Sequence, residues 1–193
     1  GATYVTNSTT VYGNIEHNRP LQTQVKATTT GKNLFGESYT TVSTTYYKYK
    51  TTTDARFTEV KDGKDIPTIL YGAIDAAATT SLTSGEDIWG AKYVTKSTTL
   101  YGKIEHNRPL QTQVKATTTG KNLFGEGYTT ISTTDYTYTT TTDAGFKESD
   151  GTPTILYGKI ATADTTSQTT GFDIWGATYV TNSTTVYGNI EHN

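Results

Sequence analysis

The residues best suited to chemistry in this 193-residue chain are its three histidines, His17, His106 and His192, each set in the same motif, Ile-Glu-His-Asn. A Glu beside a His suggests an acid/base pair or two metal ligands, and Glu105 with His106 supplies both. Neighbours on a strand point to opposite faces, however, so this pair does not converge on one ion as a metal site requires. Arg-Pro follows in both complete copies, a composition of turns, and the motif reads as a hairpin loop. Two acidic clusters, Asp54, Glu59, Asp62 and Asp65, and Asp143, Glu148 and Asp150, could bind calcium. They lack the alternating Asp spacing of a calcium loop, and no other cofactor or metal is expected. The serine nucleophile elbow, the phosphate-cradling glycine loop and H-E-x-x-H are all missing. Carboxylates that meet only in space could still hydrolyse a glycoside, but a repeated unit rarely houses one active site. The chain is read as a non-enzyme.

Trp89 and Trp175, with Phe35 and Phe124 at equivalent places, could stack on sugar rings. Each stands just before a Gly that opens a long strand, so the first expectation is a packing plug at the end of the sheet. Lys26 and Asn33, and their equivalents Lys115 and Asn122, are raw material for an isopeptide crosslink. Asn7-Ser8-Thr9 and Asn182-Ser183-Thr184 match a glycosylation acceptor, but Lys96 replaces the Asn in the middle copy, and so Thr-rich a chain produces such matches by chance.

The element that must position these residues is a repeat. GATYVTNSTTVYGNIEHN at residues 1–18 recurs unchanged at 176–193, with GAKYVTKSTTLYGKIEHN at 90–107 between them. The chain divides into one repeat over 1–89, a second over 90–175 and the first strand of a third over 176–193. A weaker period lies inside: residues 36–47 and 125–136 follow the same form, G-x-x-Y-x-T-x-S-T-T-x-Y. Four of the five copies are preceded by a turn carrying an aromatic: GKNLFG at 31–36 and 120–125, GEDIWG at 85–90 and GFDIWG at 171–176.

Alternation makes these copies strands. Tyr4, Thr6, Ser8, Thr10 and Tyr12 share one face, as do Tyr93, Thr95, Ser97, Thr99 and Tyr101. That face is the same in all five copies while the opposite one varies, so it is the expected packed face, with Tyr ladders holding neighbours together. Further strands are expected at 21–30, 67–74, 110–119 and 153–160, separated by Asn18-Arg19-Pro20, Gly31-Lys32-Asn33, Asp62-Gly63, Asn107-Arg108-Pro109, Gly120-Lys121-Asn122 and Asp150-Gly151. No segment has a helical period. The expectation is an elongated all-β fold of tandem antiparallel repeats, either sandwich-like units sharing strands across the junction or a continuous meander, with the sandwich preferred.

Composition agrees. Hydrophobic residues make up 33% of the chain and about a quarter is Thr; Tyr contributes 15 of the aromatics against five Phe and two Trp. That is too little apolar volume for a thick core, yet too many β-branched and aromatic residues for disorder. A net charge of −2 from interspersed residues leaves no footprint for nucleic acid or anionic membrane. No apolar run suits a membrane helix and no signal-like segment opens the sequence, which reads as a mature or excised soluble piece. With no Cys, disulfides and thiol chemistry are excluded.

Through the repeat G-x-x-Y-x-T-x-S-T-T-x-Y, the whole chain resembles, as a class, the tandem Thr-rich arrays of large bacterial adhesins and biofilm-matrix proteins. The resemblance implies a secreted or cell-surface segment acting as stalk, filament or matrix element, partnered by neighbouring repeats, other copies of itself, glycans or surfaces. The alternatives are a carbohydrate-binding module with a shallow site at Trp89 or Trp175, and a silk-like or adhesive fibre whose strands pair edge to edge.

Overall fold

The structure is a computed structural model that describes residues 2–16, 19–52, 59–66, 68–105, 107–141 and 154–188. Among these there is no helix. Nine strands form one sheet: β1 (Thr3–Glu16), β2 (Arg19–Lys32), β3 (Ser38–Thr52), β6 (Thr68–Glu86), β7 (Lys92–Tyr101), β10 (Gln113–Lys121), β11 (Gly127–Thr141), β12 (Thr154–Phe172) and β13 (Thr178–Gly188), in that spatial order. Every neighbouring pair is antiparallel. Two small hairpins are also among the described residues, β4 (Glu59–Lys61) with β5 (Lys64–Ile66) and β8 (Lys103–Glu105) with β9 (Arg108–Leu110). The continuous meander is therefore the architecture, and the preferred sandwich is not. The boundary between repeats falls in the turn joining β6 to β7, which pair over ten residues without a break.

Register explains why one layer holds. The first Tyr of each repeated strand lies opposite Gly, on both sides in β3, β7 and β11 and on one side in β1 and β13, giving a row Tyr4, Gly31, Tyr39, Gly85, Tyr93, Gly120, Tyr128, Gly171, Tyr179. Rings fill the space that glycine leaves: a Cβ placed on Gly31, Gly85, Gly120 or Gly171 would come within 2.3–2.4 Å of the ring of Tyr39, Tyr93, Tyr128 or Tyr179. The expected Tyr ladder is thus a Tyr–Gly alternation. The next row is Thr in every strand, and its hydroxyls bond two by two at 2.8–2.9 Å, Thr6 with Thr29, Thr41 with Thr83, Thr95 with Thr118 and Thr130 with Thr169. A Ser and Ala row and a Thr and Val row follow, and then Tyr over Ala, with Ala77 between Tyr47 and Tyr101 and Ala163 between Tyr136 and Tyr187. Matched heights let β-branched methyls and rings pack sideways along the sheet.

This face is the better covered one: in β7 its residues are half-buried while those between them are exposed. No described side chain is fully buried, and the buried apolar residues among those described are Leu21, Ala77, Leu110 and Ala163. The accessible surface is 13068 Å² for 21.0 kDa, against about 9000 Å² for a compact monomer of that mass. Strand-to-strand bonding, rather than a core, carries the structure.

Beyond the Tyr–Ala row the sheet changes character. Register shifts occur between β1 and β2, β3 and β6, and β11 and β12, and Gly72 and Gly158 take positive φ of 71° and 72°. Leu21 packs against Gly72 and Leu110 against Gly158, where a Cβ would come within 3.1 and 3.3 Å. The Tyr49 hydroxyl donates to the carbonyl of Gln22 at 2.7 Å and the Tyr138 hydroxyl to that of Gln111 at 2.6 Å. Each repeat thus has one small apolar nucleus at the end of the sheet away from the aromatic turns.

Burial raises both phenols above their ordinary range, with Tyr47 adding to Tyr49, and Tyr136 and Tyr101 to Tyr138. A phenol whose folded pKa exceeds its unfolded value of about 10 contributes stability that is whole below that pH. The contribution is lost as pH rises through the folded value. Thermal melts at pH 8 and about pH 11 check this: the chain is expected to lose stability across that interval, and the Y49F/Y138F variant to melt lower at pH 8 but to fall less on the way up. Equal alkaline falls in both proteins would refute it.

Candidate functional site

The four turns that join β2 to β3, β6 to β7, β10 to β11 and β12 to β13 all lie at one end of the sheet, because alternate turns of a meander share an end. They are built alike. Asn33 Oδ1 accepts the amides of Phe35 (2.9 Å) and Glu37 (3.0 Å), and its Nδ2 donates to Glu37 Oε2. Asn122 does the same for Phe124 and Glu126, both at 3.0 Å. Asp87 Oδ1 accepts from Trp89 (2.8 Å) and Ala91 (2.9 Å), and Asp173 Oδ1 from Trp175 (2.9 Å) and Ala177 (2.8 Å). Short Asx side chains that bond the backbone two residues on favour this local fold. A Gly in the left-handed region closes each turn, with φ of 100° at Gly36, 85° at Gly90, 96° at Gly125 and 84° at Gly176. Such a φ strains any residue carrying a Cβ.

The turns lift their aromatics into solvent. Phe35 is 79% exposed, Trp89 70%, Phe124 80% and Trp175 84%. The packing-plug reading fails because a single layer offers nothing at its end for a ring to fill. Leu34, Ile88, Leu123 and Ile174 precede the rings and are also exposed. The result is a file of four aliphatic–aromatic pairs, one every two strands, or about 9.5 Å apart. Four such pairs in a row differ from the single apolar residues scattered over any protein. Shallow grooves lie at the base of the turns: one of about 310 Å³ is lined by Asn33, Glu37, Tyr39, Glu86, Asp87 and Tyr93, and another by Asp87, Lys92, Tyr93, Asn122, Glu126 and Tyr128 among others. Apolar plates above carboxylates, amides and phenols can engage a ligand that has an apolar face and a hydroxylated rim.

Comparison with protein-family models, curated sequences and solved structures returns no match.

Of the expected strand face, Tyr4, Thr6, Ser8, Thr10 and Tyr12 lie on β1, and Tyr93, Thr95, Ser97, Thr99 and Tyr101 on β7, in the rows described above. Tyr93 stands close to the turn of Trp89; Tyr101 is at the far end of the strand. The histidines lie outside the described residues, as do Asp54, Asp143, Glu148 and Asp150. Asp62 is exposed in the β4–β5 turn, and no group of three or more His, Asp or Glu able to hold a metal occurs among the described residues. No described helix is long and apolar enough to cross a membrane. The isopeptide option fails on distance: Lys26 and Asn33 are seven residues apart along one extended segment, about 23 Å, and the Asn33 amide is engaged by Glu37. Sequence reading missed the aliphatic partners of the rings and the capping role of Asn33, Asp87, Asn122 and Asp173. The signal was the fourfold [ND]-[LI]-[FW]-G.

Proposed function

We propose that this chain is a non-catalytic structural and adhesive repeat segment of a secreted or cell-surface protein, working as a filament, stalk or matrix element through strand stacking between repeats. The observation that carries the reading is the unbroken sheet: β6 and β7 join two repeats by the same backbone ladder that joins strands within each one. A repeat can then be added without designing a new interface. Each contributes four strands, hence about 19 Å of sheet, while strands of nine or more residues make the layer wider than that. So low a yield of length per residue suits a broad ribbon or matrix surface better than a long-reach spacer. Scattering from chains carrying one and two extra copies of residues 90–175 tests this. The sheet should lengthen by about 19 Å per copy along its stacking direction, so the maximum dimension rises with each insertion; a constant or compactly scaling dimension would count against it.

The exposure of Trp89 and Trp175 favours a second role for the same ribbon, stacking on the sugar rings of a surface glycan. In a glycan-array measurement W89A/W175A should bind at least tenfold more weakly while keeping the wild-type circular-dichroism spectrum. Unchanged binding, or none by the wild type, would remove this reading and leave the structural one.

A further inference from the structure

We infer that the Tyr-Thr-Ser face of the sheet is a mating surface for the same face of a second copy of this chain, so that two single layers close into one two-layer sandwich. The face carries no charge. From the Tyr–Gly row to the Tyr–Ala row, across all nine strands, none of its paired positions is charged, and Thr, Ser, Ala and Val fill the three rows between. Yet 18% of the chain is charged. The charged residues within the same stretch of register, Lys26, Lys96, Lys115, Asp135 and Asp164, all stand on the opposite face. The mating face is level as well. The rings of Tyr39, Tyr93, Tyr128 and Tyr179 lie over glycines, where a Cβ would stand, so they rise little above the Thr and Ser rows beside them.

Its hydroxyls are already served within the sheet. Besides the Thr row, Ser81 bonds Ser97 at 2.9 Å and Ser167 bonds Ser183 at 2.8 Å, and in the next row Thr45 bonds Thr79 at 2.7 Å and Thr134 bonds Thr165 at 2.8 Å. Burying a polar group is unfavourable unless it is hydrogen-bonded, and each of these pairs keeps one donor, which a hydroxyl of the facing row can accept. Shape then selects the occupant. A sheet of many strands twists, so its face does not fit a planar lattice. It fits a second sheet of the same hand, and two such sheets pack with strands about 30° apart and layers about 10 Å apart. Five rows over nine strands span about 27 Å by 43 Å, so pairing two copies buries about 2000 Å² in total. That exceeds the roughly 1600 Å² of a standard stable interface. The sandwich that the sequence suggests within each repeat thus forms between two chains. This names a partner for the ribbon proposed above and rests on that reading only for its setting: a chain that lengthens with added repeats yet stays monomeric sinks the pairing and leaves the ribbon.

The chain has no Cys, so a single introduced cysteine reports whether one face is covered. In sedimentation equilibrium the 193-residue chain is expected to rise from one copy to two as its concentration increases. Across that rise, alkylation of S97C, in the middle of the face, should slow at least tenfold, whereas alkylation of T98C, on the opposite face of the same strand, should keep its rate. S97K should stay monomeric at concentrations where K96E, on the opposite face, still dimerises, with both keeping the wild-type circular-dichroism spectrum. If S97K loses that spectrum, the two alkylation rates decide alone. A strictly monomeric wild-type chain, a folded S97K that still dimerises, or slowing at T98C equal to that at S97C would each overturn the inference. So would dimers in which neither cysteine slows, which would place the contact at the turn aromatics or along the strand edges.

Discussion

Replacing Gly85 by Ala is expected to lower the melting temperature by several degrees, although no positive φ is involved. The new Cβ would come within 2.3 Å of Tyr93 Cζ and 2.4 Å of its hydroxyl, so the ring must leave its place over the neighbouring strand. Forcing extra volume into a packed position costs about 1–3 kcal/mol, and for a chain of this size each kcal/mol is about 2–4 °C. The same substitution at Gly31, Gly120 or Gly171 meets Tyr39, Tyr128 or Tyr179 at similar distances. A double-mutant cycle isolates the cause. In a Y93A background, G85A should become neutral or mildly stabilising, because Ala is otherwise better than Gly inside a strand by about 0.5–1 kcal/mol. A G85A cost that persists without the ring would sink the Tyr–Gly account and point to the backbone.

The second large effect is expected at Asn107, in the turn of the β8–β9 hairpin. Its Oδ1 accepts the amide of Ile74 at 2.6 Å and its Nδ2 donates to the carbonyl of Gly72 at 3.3 Å. The hairpin belongs to the second repeat and β6 to the first, so this side chain clasps one to the other, while Leu110 of the same hairpin packs on Gly158 of its own repeat. Asn107 also has a φ of 63°, a region that Asn tolerates better than most residues. Two lost hydrogen bonds are worth about 1–2 kcal/mol together, and N107A adds about 1 kcal/mol of left-handed strain that N107G escapes. The order of stability should be wild type, then N107G, then N107A. Exchange of the Ile74 amide should quicken about tenfold for each 1.4 kcal/mol of local opening. Wild-type exchange at Ile74 in N107A would dismiss the clasp.

These two sites show where sequence reading stopped. The Tyr-bearing strands were legible because their alternation is conspicuous. Their partners are not: spacing predicts a strand at 67–74 that stops short of Ala77 to Gly85, and it reads Gly31 and Gly120 as turn residues. In the sheet, Gly85, Thr83, Ser81, Thr79 and Ala77 reproduce the repeated face with small residues in place of both tyrosines. A lone glycine in a strand reads as a breaker until the ring that covers it is known. Asn107 was likewise placed in a loop, which is where it is, but nothing local announces that its amide reaches a strand 33 residues away.

What the sequence determined by itself was the all-β class, the repeat and its internal half-period, and the set of residues sharing a face. All of these depend on spacing along the chain, and a period of two is a local property of extended backbone. Only the tertiary structure decided that the strands form one layer instead of a sandwich, that tyrosines meet glycines, and that the turn aromatics stand in solvent. Those outcomes depend on which distant strand lies alongside and whether any second layer exists to cover a face, and pairing between strands brings together residues that no local spacing connects.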